Sequence, residues 1–144
     1  MKSGARVLVL MGSESDRSVM ASGVEVLKQH GVDVEVVVSS AHREPEKTVR
    51  LARGAREAGF SAVICGAGLS AALPGVVAAN TDLPVVGVPI SAGTLGGMDA
   101  LLAMAQMPPG VPVATVGIDG ARNAAHLVLR MLEIGRSHLP SDTC

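Results

Sequence analysis

The sequence predicts an α/β fold, a three-layer sandwich in which a five-stranded parallel sheet carries helices on both faces. Continuous apolar runs, such as residues 7–10 and 34–38, are typical of strands buried on both sides of a parallel sheet. A helical pattern follows each run, and the strand–helix unit recurs about every 25 to 30 residues. This alternation predicts an open, doubly wound sheet.

The first strand–helix unit contains its own turn and capping signals. Gly12 permits a sharp turn directly after the first strand. Ser13, Ser15 or Asp16 can cap the helix that follows, because each side chain can accept a hydrogen bond from a free backbone amide. We expect this helix to extend to Gly31, which ends it.

The second unit has equally clear helix boundaries. Pro45 suits the first position of a helix, where its missing amide hydrogen is not needed. Val49, Leu51 and Ala55 are predicted to form the inner face of this helix, and Gly59 closes it.

The remaining three units complete the sheet. Strands are predicted at residues 61–65, 85–89 and 111–117. Helices are predicted at residues 76–80, 98–106 and 123–134, with glycine-rich loops at 66–75 and 91–97. We expect a polar tail at 135–144 that frays.

The order of units favours the flavodoxin-like strand order 2-1-3-4-5. In that order the loops after strands 1 and 3 flank the point where ligands bind to open α/β sheets. At 144 residues the chain is interpreted as one domain, residues 1–144, with its core at about 6–134.

The composition argues against nucleic-acid binding. Aromatic residues make up 1% of the chain, and no Trp or Tyr is present on which a base could stack. The formal net charge of −1 also gives no basic surface for a phosphate backbone.

The cysteines and the apolar runs indicate a cytoplasmic protein. Cys65 lies at the end of a predicted buried strand and Cys144 is the last residue, so we predict no structural disulfide. The start of the chain lacks a signal-peptide pattern. No apolar run reaches the roughly 18 residues that a membrane-spanning helix needs.

The segment after the second strand is the strongest candidate for chemistry. It places the hydroxyl of Ser40, the imidazole of His42 and the guanidinium of Arg43 where a parallel sheet presents its reactive groups. An imidazole can move a proton near neutral pH, and a guanidinium can bind a phosphate or carboxylate in bidentate fashion. A surface loop histidine without a catalytic role is the alternative.

Two further loops can contact a ligand. Residues 12–16 can form an anion cradle at a helix start, or simply an N-cap, and Asp16 can instead accept hydrogen bonds from ribose hydroxyls. The Gly66–Ala67–Gly68 segment does not match a dinucleotide fingerprint. It offers bare backbone to a flat ligand or a CO2-sized group, or else serves close helix–strand packing.

The other three histidines have no chemical pattern around them. His30 and His138 are interpreted as solvated residues, and His126 as an exposed residue of the last helix. Because the histidine spacing matches no known ligand set, we predict no metal.

Five blocks of the sequence, taken in order, resemble the N5-carboxyaminoimidazole ribonucleotide mutase family of purine biosynthesis. The resemblance covers about residues 6–134. The blocks are residues 11–16, 40–43, 66–68 with 73–78, 83–89 and 106–116.

This resemblance implies a flavodoxin-like enzyme, usually a homo-octamer, with no metal or organic cofactor. The family moves a carboxyl group from the exocyclic nitrogen of an aminoimidazole ribonucleotide to its ring carbon C4, through released CO2. Carried over, His42 is the proton shuttle, and a phosphate, a ribose and a carboxylate are held by neighbouring residues. The implied substrate-binding residues are Ser13, Asp16, Ser40, Ala41, Arg43, Gly66, Ala67, Gly68, Ser70, Ala71, Ala72 and Leu73.

The chain also departs from the family pattern. Ala72 replaces the histidine of the family's third-strand loop, which removes a donor at the carboxylate pocket and enlarges it. Glu44 stands where the family often has threonine. Three alternatives therefore stay open: a nickel-pincer-type carboxylase of a pyridinium nucleotide, a paralogue that carboxylates or decarboxylates another azole nucleotide, and a non-enzymatic nucleotide-binding subunit.

Overall fold

The computed structural model describes residues 4–137 and confirms the predicted fold class. Five parallel strands form one sheet in the order β2-β1-β3-β4-β5. The strands are β1 (Arg6–Met11), β2 (Asp33–Val38), β3 (Ala62–Gly68), β4 (Val85–Ile90) and β5 (Ala114–Thr115). The helices are α1 (Arg17–Gln29), α2 (Pro45–Gly54), α3 (Leu73–Ala78), α4 (Met98–Ala105) and α5 (Ala121–Ser137), with a short 3-10 helix at Glu14–Asp16.

The core has two layers, one on each face of the sheet. Side chains of β1 alternate between them: Val7 and Val9 face one layer, and Leu8 and Leu10 face the other. The first layer is completed by α1 and α5, and the second by α2, α3 and α4. Burial of each such Val or Leu side chain contributes roughly 1.5–3 kcal/mol.

The strand register brings three loops together. Met11, the last residue of β1, pairs with Val38 at the end of β2 and with Gly66 near the end of β3. The segments that follow these three strands therefore start at nearly the same level, at the carboxyl edge of the sheet.

Strand β3 is longer than predicted. Gly66, Ala67 and Gly68 were expected in a loop, but they pair with Val88, Pro89 and Ile90 of β4 and continue the ladder. The glycines mislead the prediction because glycine is usually a turn residue, whereas here Gly66 pairs with both β1 and β4, and Gly68 pairs with β4.

Strand β5 is shorter than predicted. Only Ala114 and Thr115 pair with β4, within the predicted strand at 111–117. β5 lies at the edge of the sheet, and Pro112 just before it has no amide hydrogen to contribute to a ladder.

Three helix boundaries also differ from the prediction. α2 ends at Gly54, and turns continue the chain to Gly59, whose positive φ of 89° stops it. α3 begins at Leu73, because Pro74 is accepted in a first helical turn. α5 extends from Ala121 to Ser137, so residues 135–137 are helical. The rest of the predicted tail, including His138 and Cys144, lies outside the described residues.

The inner face of α2 differs from the prediction at one of the three predicted positions, Val49. Thr48, Ala52 and Ala55 are buried, whereas Val49 is half-buried and lines a shallow groove on the outer side of the helix. Leu51 packs against the core as predicted.

No helix between residues 4 and 137 is both long enough and apolar enough to span a membrane.

Candidate active site

A cavity of about 580 Å³ lies at the carboxyl edge of the sheet, where the loops after β1, β2, β3 and β4 meet. Most of the predicted site residues line it. They are Ser13, Asp16, Ser40, Ala41, His42, Arg43, Ala67, Gly68, Ser70, Ala71, Ala72 and Leu73. Gly12 and Ser15 of the candidate anion cradle at residues 12–16 line it as well, and so do Leu69 and Ala92, which were not among the predicted site residues.

Gly66 does not line the cavity. It is buried within β3, and a Cβ atom at this position would overlap the Sδ atom of Met20 and lie 3.1 Å from Cδ1 of Ile90. Its lack of a side chain therefore serves close packing of α1 on the sheet, which is the alternative that the sequence left open.

The loop after β1 is built around Ser13. The Ser13 hydroxyl lies 3.0 Å from the Ser15 hydroxyl and accepts a hydrogen bond from the Ser15 amide at 3.3 Å. The Asp16 amide donates to the Ser13 carbonyl at 3.1 Å. Ser13 thus caps the short 3-10 helix, and Ser13 and Ser15 each contribute a side chain to the cavity lining.

Asp16 sits half-buried beside these serines. Partial burial raises the pKa of its carboxyl above the ordinary value, and hydrogen bonding to the Ser13 backbone works in the opposite direction. A carboxylate in this position can accept hydrogen bonds from vicinal hydroxyl groups of a ligand.

The loop after β2 carries the predicted phosphate and proton-transfer groups. The Ser40 hydroxyl accepts a hydrogen bond from the Arg43 amide at 3.1 Å, and the Ser40 carbonyl accepts one from the Glu44 amide at 2.8 Å. These bonds fold the loop into a compact turn. His42 and Arg43 are exposed on it, and Arg43 forms no ion pair with another residue of the described chain.

Buried and half-buried polar contacts attach this loop to α2. The hydroxyls of Ser39 and Thr48 lie 2.7 Å apart and both residues are fully buried. Lys47 donates to the Val38 carbonyl at 2.8 Å and also lies 3.6 Å from the Glu44 carboxylate. The negative charge that Glu44 brings near the anion site is therefore paired with a cation.

The loop after β3 has a strained backbone. Leu69 has a positive φ of 55°, which is uncommon for a residue with a branched side chain. The Ala71 amide donates to the Leu69 carbonyl at 2.8 Å, and the Ala72 amide donates to the Ser70 carbonyl at 2.7 Å. This tight double turn leads directly into α3.

Leu69 also joins this loop to the loop after β4. A Cβ atom on Gly93 would lie only 2.8 Å from a terminal methyl of Leu69, and Gly93 itself has a positive φ of 66°. Ala92, next to Gly93, lines the cavity. Sequence reasoning passed over Leu69 and Ala92 because neither side chain carries a chemical group.

The described residues offer neither a metal site nor a reactive thiol. Within residues 4–137, no three His, Cys, Asp or Glu side chains lie together in a group that could hold a metal ion. His30 and His126 are exposed as predicted, and their rings meet edge to face at 6.3 Å between centroids. Cys65 is fully buried, and burial raises the pKa of its thiol far above the ordinary value, so it is no nucleophile.

Comparisons with known proteins agree with this geometry. The N5-carboxyaminoimidazole ribonucleotide mutase of Pyrococcus abyssi is 54% identical over 129 residues, which cover 90% of this chain and 74% of the relative. The protein of the same name from Mycobacterium tuberculosis is 55% identical over 127 residues, covering 88% of this chain and 73% of the relative.

A solved structure shares the fold. The crystal structure of Treponema denticola PurE matches with a TM-score of 0.81 and 27% sequence identity, and covers 90% of this chain and 81% of that one. The model of the family described as AIR carboxylase matches residues 6–142. On these grounds, the chain belongs to the AIR carboxylase family.

Proposed function

We propose that this chain is an N5-carboxyaminoimidazole ribonucleotide mutase, an isomerase of purine biosynthesis. One observation carries the proposal: a single cavity brings His42 and Arg43 together with the small-residue loop 67–73, in a chain about half identical to relatives of that name. The ligands are the ribonucleotide and CO2. We further propose that the chain assembles with itself, as a homo-octamer, in the cytoplasm.

The loops after β1 and β2 hold the nucleotide. Arg43 binds the 5′-phosphate, because its guanidinium forms no ion pair within the described chain and is exposed at the cavity. The hydroxyls of Ser13 and Ser40 complete the phosphate contacts. Asp16 accepts hydrogen bonds from the ribose hydroxyls, and this anchoring places the ring next to His42.

The carboxyl group moves in two steps. The bond between the exocyclic nitrogen and the carboxyl carbon breaks, its electron pair returns to nitrogen, and nitrogen takes a proton from His42 as CO2 is released. Ring carbon C4 then attacks the CO2 carbon, and His42 takes the C4 proton, which restores aromaticity. One proton is given and one is recovered, so the reaction is an isomerisation that needs a single proton-transfer group.

The loop 67–73 keeps CO2 beside C4 between the two steps. Its backbone is accessible, since most of its side chains are no larger than a methyl group. Retention in the cavity replaces a bimolecular recapture of CO2 with an encounter inside one complex.

Three substrate mixtures test the proposal on the full chain. The N5-carboxylated ribonucleotide should be converted to the C4-carboxylated product. The non-carboxylated ribonucleotide with bicarbonate tests the carboxylase alternative, and the C4-carboxylated ribonucleotide alone tests decarboxylation. Binding of the ribonucleotide without turnover in any mixture would instead support the nucleotide-binding subunit and refute the mutase assignment.

The variant His42→Asn tests the proton shuttle. Loss of one general acid–base group should lower kcat by about 10²–10⁴-fold, while affinity for the ribonucleotide is largely kept. His126→Asn is the matched control, because it removes an exposed histidine of α5 that does not line the cavity. Full activity of His42→Asn would exclude the shuttle role.

A further inference from the structure

One wall of the cavity is almost devoid of polar side chains. Residues 67–73 all line it, and their side chains are glycine, alanine or leucine except at Ser70. The polar lining side chains from the other loops, Ser13, Ser15, Asp16, Ser40, His42 and Arg43, all follow β1 or β2. Ser70 is therefore the only side-chain hydrogen-bond donor on this wall.

Ser70 and the proposed proton-transfer group, His42, line the same cavities. A second cavity of about 540 Å³ shares part of its lining with the first, since His42 and residues 69–72 line both. Because these residues are shared, Ser70 and His42 lie at the junction of the two cavities. The short methyl side chain of Ala72 keeps that junction uncrowded.

The backbone holds Ser70 in place while its hydroxyl stays available. Its carbonyl accepts from the Ala72 amide at 2.7 Å, and Leu69 before it is fixed at positive φ against Gly93. The hydroxyl itself forms no hydrogen bond with another residue in the range 4–137. A strained backbone is maintained only where the surroundings require it, and such residues are concentrated at ligand sites.

We propose that the Ser70 hydroxyl is the specificity-determining donor for the substrate's carboxylate. A carboxylate placed against an apolar wall needs a donor, since an unpaired charge there is unfavourable. Ser70 supplies it in the cavity that His42 also lines, where the carboxyl group must leave nitrogen and reach C4. This inference rests on the proposed function and assigns its carboxylate contact to one side chain.

The test compares Ser70→Ala with Ser70→Thr, which keeps the hydroxyl. Ser18→Ala is the control, because Ser18 is an exposed serine of α1 that lines neither cavity. Three quantities are measured: kcat/KM for the N5-carboxylated ribonucleotide, the Kd of the non-carboxylated ribonucleotide, and the fraction of turnover that releases non-carboxylated ribonucleotide and CO2.

We expect Ser70→Ala to lower kcat/KM by about 10- to 100-fold, the range for losing a hydrogen bond to a charged group. The Kd of the non-carboxylated ribonucleotide should not change, and the released fraction should rise. Ser70→Thr should recover most of the loss. If Ser70 only shaped the loop, its substitution would not weaken the carboxylated ligand selectively.

Two outcomes would overturn the inference. An equal loss of affinity for both ribonucleotides would mean that Ser70 only shapes the loop, and unchanged kinetics would mean that the hydroxyl contacts no carboxylate. If the unmodified chain shows no turnover, the proposed function fails, yet the inference is still decided by binding. In that case Ser70→Ala must weaken the C4-carboxylated ribonucleotide selectively, or the inference fails too.

Discussion

Substitution of Gly23 by alanine tests how closely α1 packs against α5. Gly23 is a buried residue in the middle of α1. A Cβ atom there would overlap the carbonyl oxygen of Ala121 and lie 3.0 Å from the carbonyl carbon. These are backbone atoms at the start of α5, so no side-chain rotation can relieve the contact.

Two effects of opposite sign decide the outcome. Alanine is favoured over glycine inside a helix by about 1 kcal/mol. Overpacking in a close-packed interior costs about 1–3 kcal/mol, and we take the upper value because α5 itself must move. The free energy of unfolding should therefore fall by about 2 kcal/mol, which lowers Tm by roughly 6–8 °C for a domain of this size.

Thermal unfolding followed by circular dichroism measures this change. The matched control is Gly54→Ala at the end of α2, where a Cβ atom would meet nothing within 4 Å. That variant should be unchanged or gain up to about 1 kcal/mol. A Gly23→Ala protein as stable as the unmodified one would refute the reasoning, because helix preference would then outweigh the contact.

Two further predictions concern polar groups at the site. Because burial raises the pKa of Asp16, its ionised form opposes folding slightly. That group's contribution to stability is complete below the unfolded-state pKa and is lost as pH rises through the raised folded-state pKa. Ribonucleotide affinity should instead increase with pH over that range, since the ionised carboxylate is the hydrogen-bond acceptor. The variant Asp16→Asn should flatten this part of a pH titration of Kd. An unaltered profile would contradict the ribose contact. Ser39→Ala and Thr48→Val should each cost about 1–3 kcal/mol by leaving a buried hydroxyl unpaired, while the double variant should cost less than their sum in urea unfolding. Strictly additive values would mean that the 2.7 Å contact is not a coupled hydrogen bond.

Hydrophobic pattern was sufficient to predict the architecture. Buried parallel strands produce continuous apolar runs, and glycine or proline marks the ends of the elements, so the alternation could be predicted. The strand order followed from choosing the flavodoxin-like arrangement for that alternation, and the sheet has this order. The errors occur where a residue type has two structural uses. Pro74 lies in the first turn of a helix, in a segment predicted as a loop, and Gly66 and Gly68 continue a strand.

The lining of the cavity was predictable where side chains carry chemical groups. His42 and Arg43 follow a strand end, and their functional groups made them candidates before any geometry was known. Leu69 and Ala92 could not be found this way, because an apolar side chain in a loop has no signature of its own. Only the positive φ of Leu69 and its contact with Gly93 show that these loops meet at the cavity.

The ends of β1, β2 and β3 lie at the same level of the sheet and divide the cavity lining into two parts. One part follows directly from paired strand ends, and the other lies beyond the ladder. Met11, Val38 and Gly66 lie side by side in the ladder, so the loops that we propose to hold the nucleotide are anchored by the sheet itself. The segment from Leu69 to Ala72 lies beyond the last ladder pair of β3, so it is held by its own turns and by the packing of Ala71 in the core layer rather than by strand pairing. The proposed phosphate and ribose contacts therefore come from loops that the sheet positions directly, whereas the proposed carboxylate contact comes from a loop that the sheet does not hold by pairing.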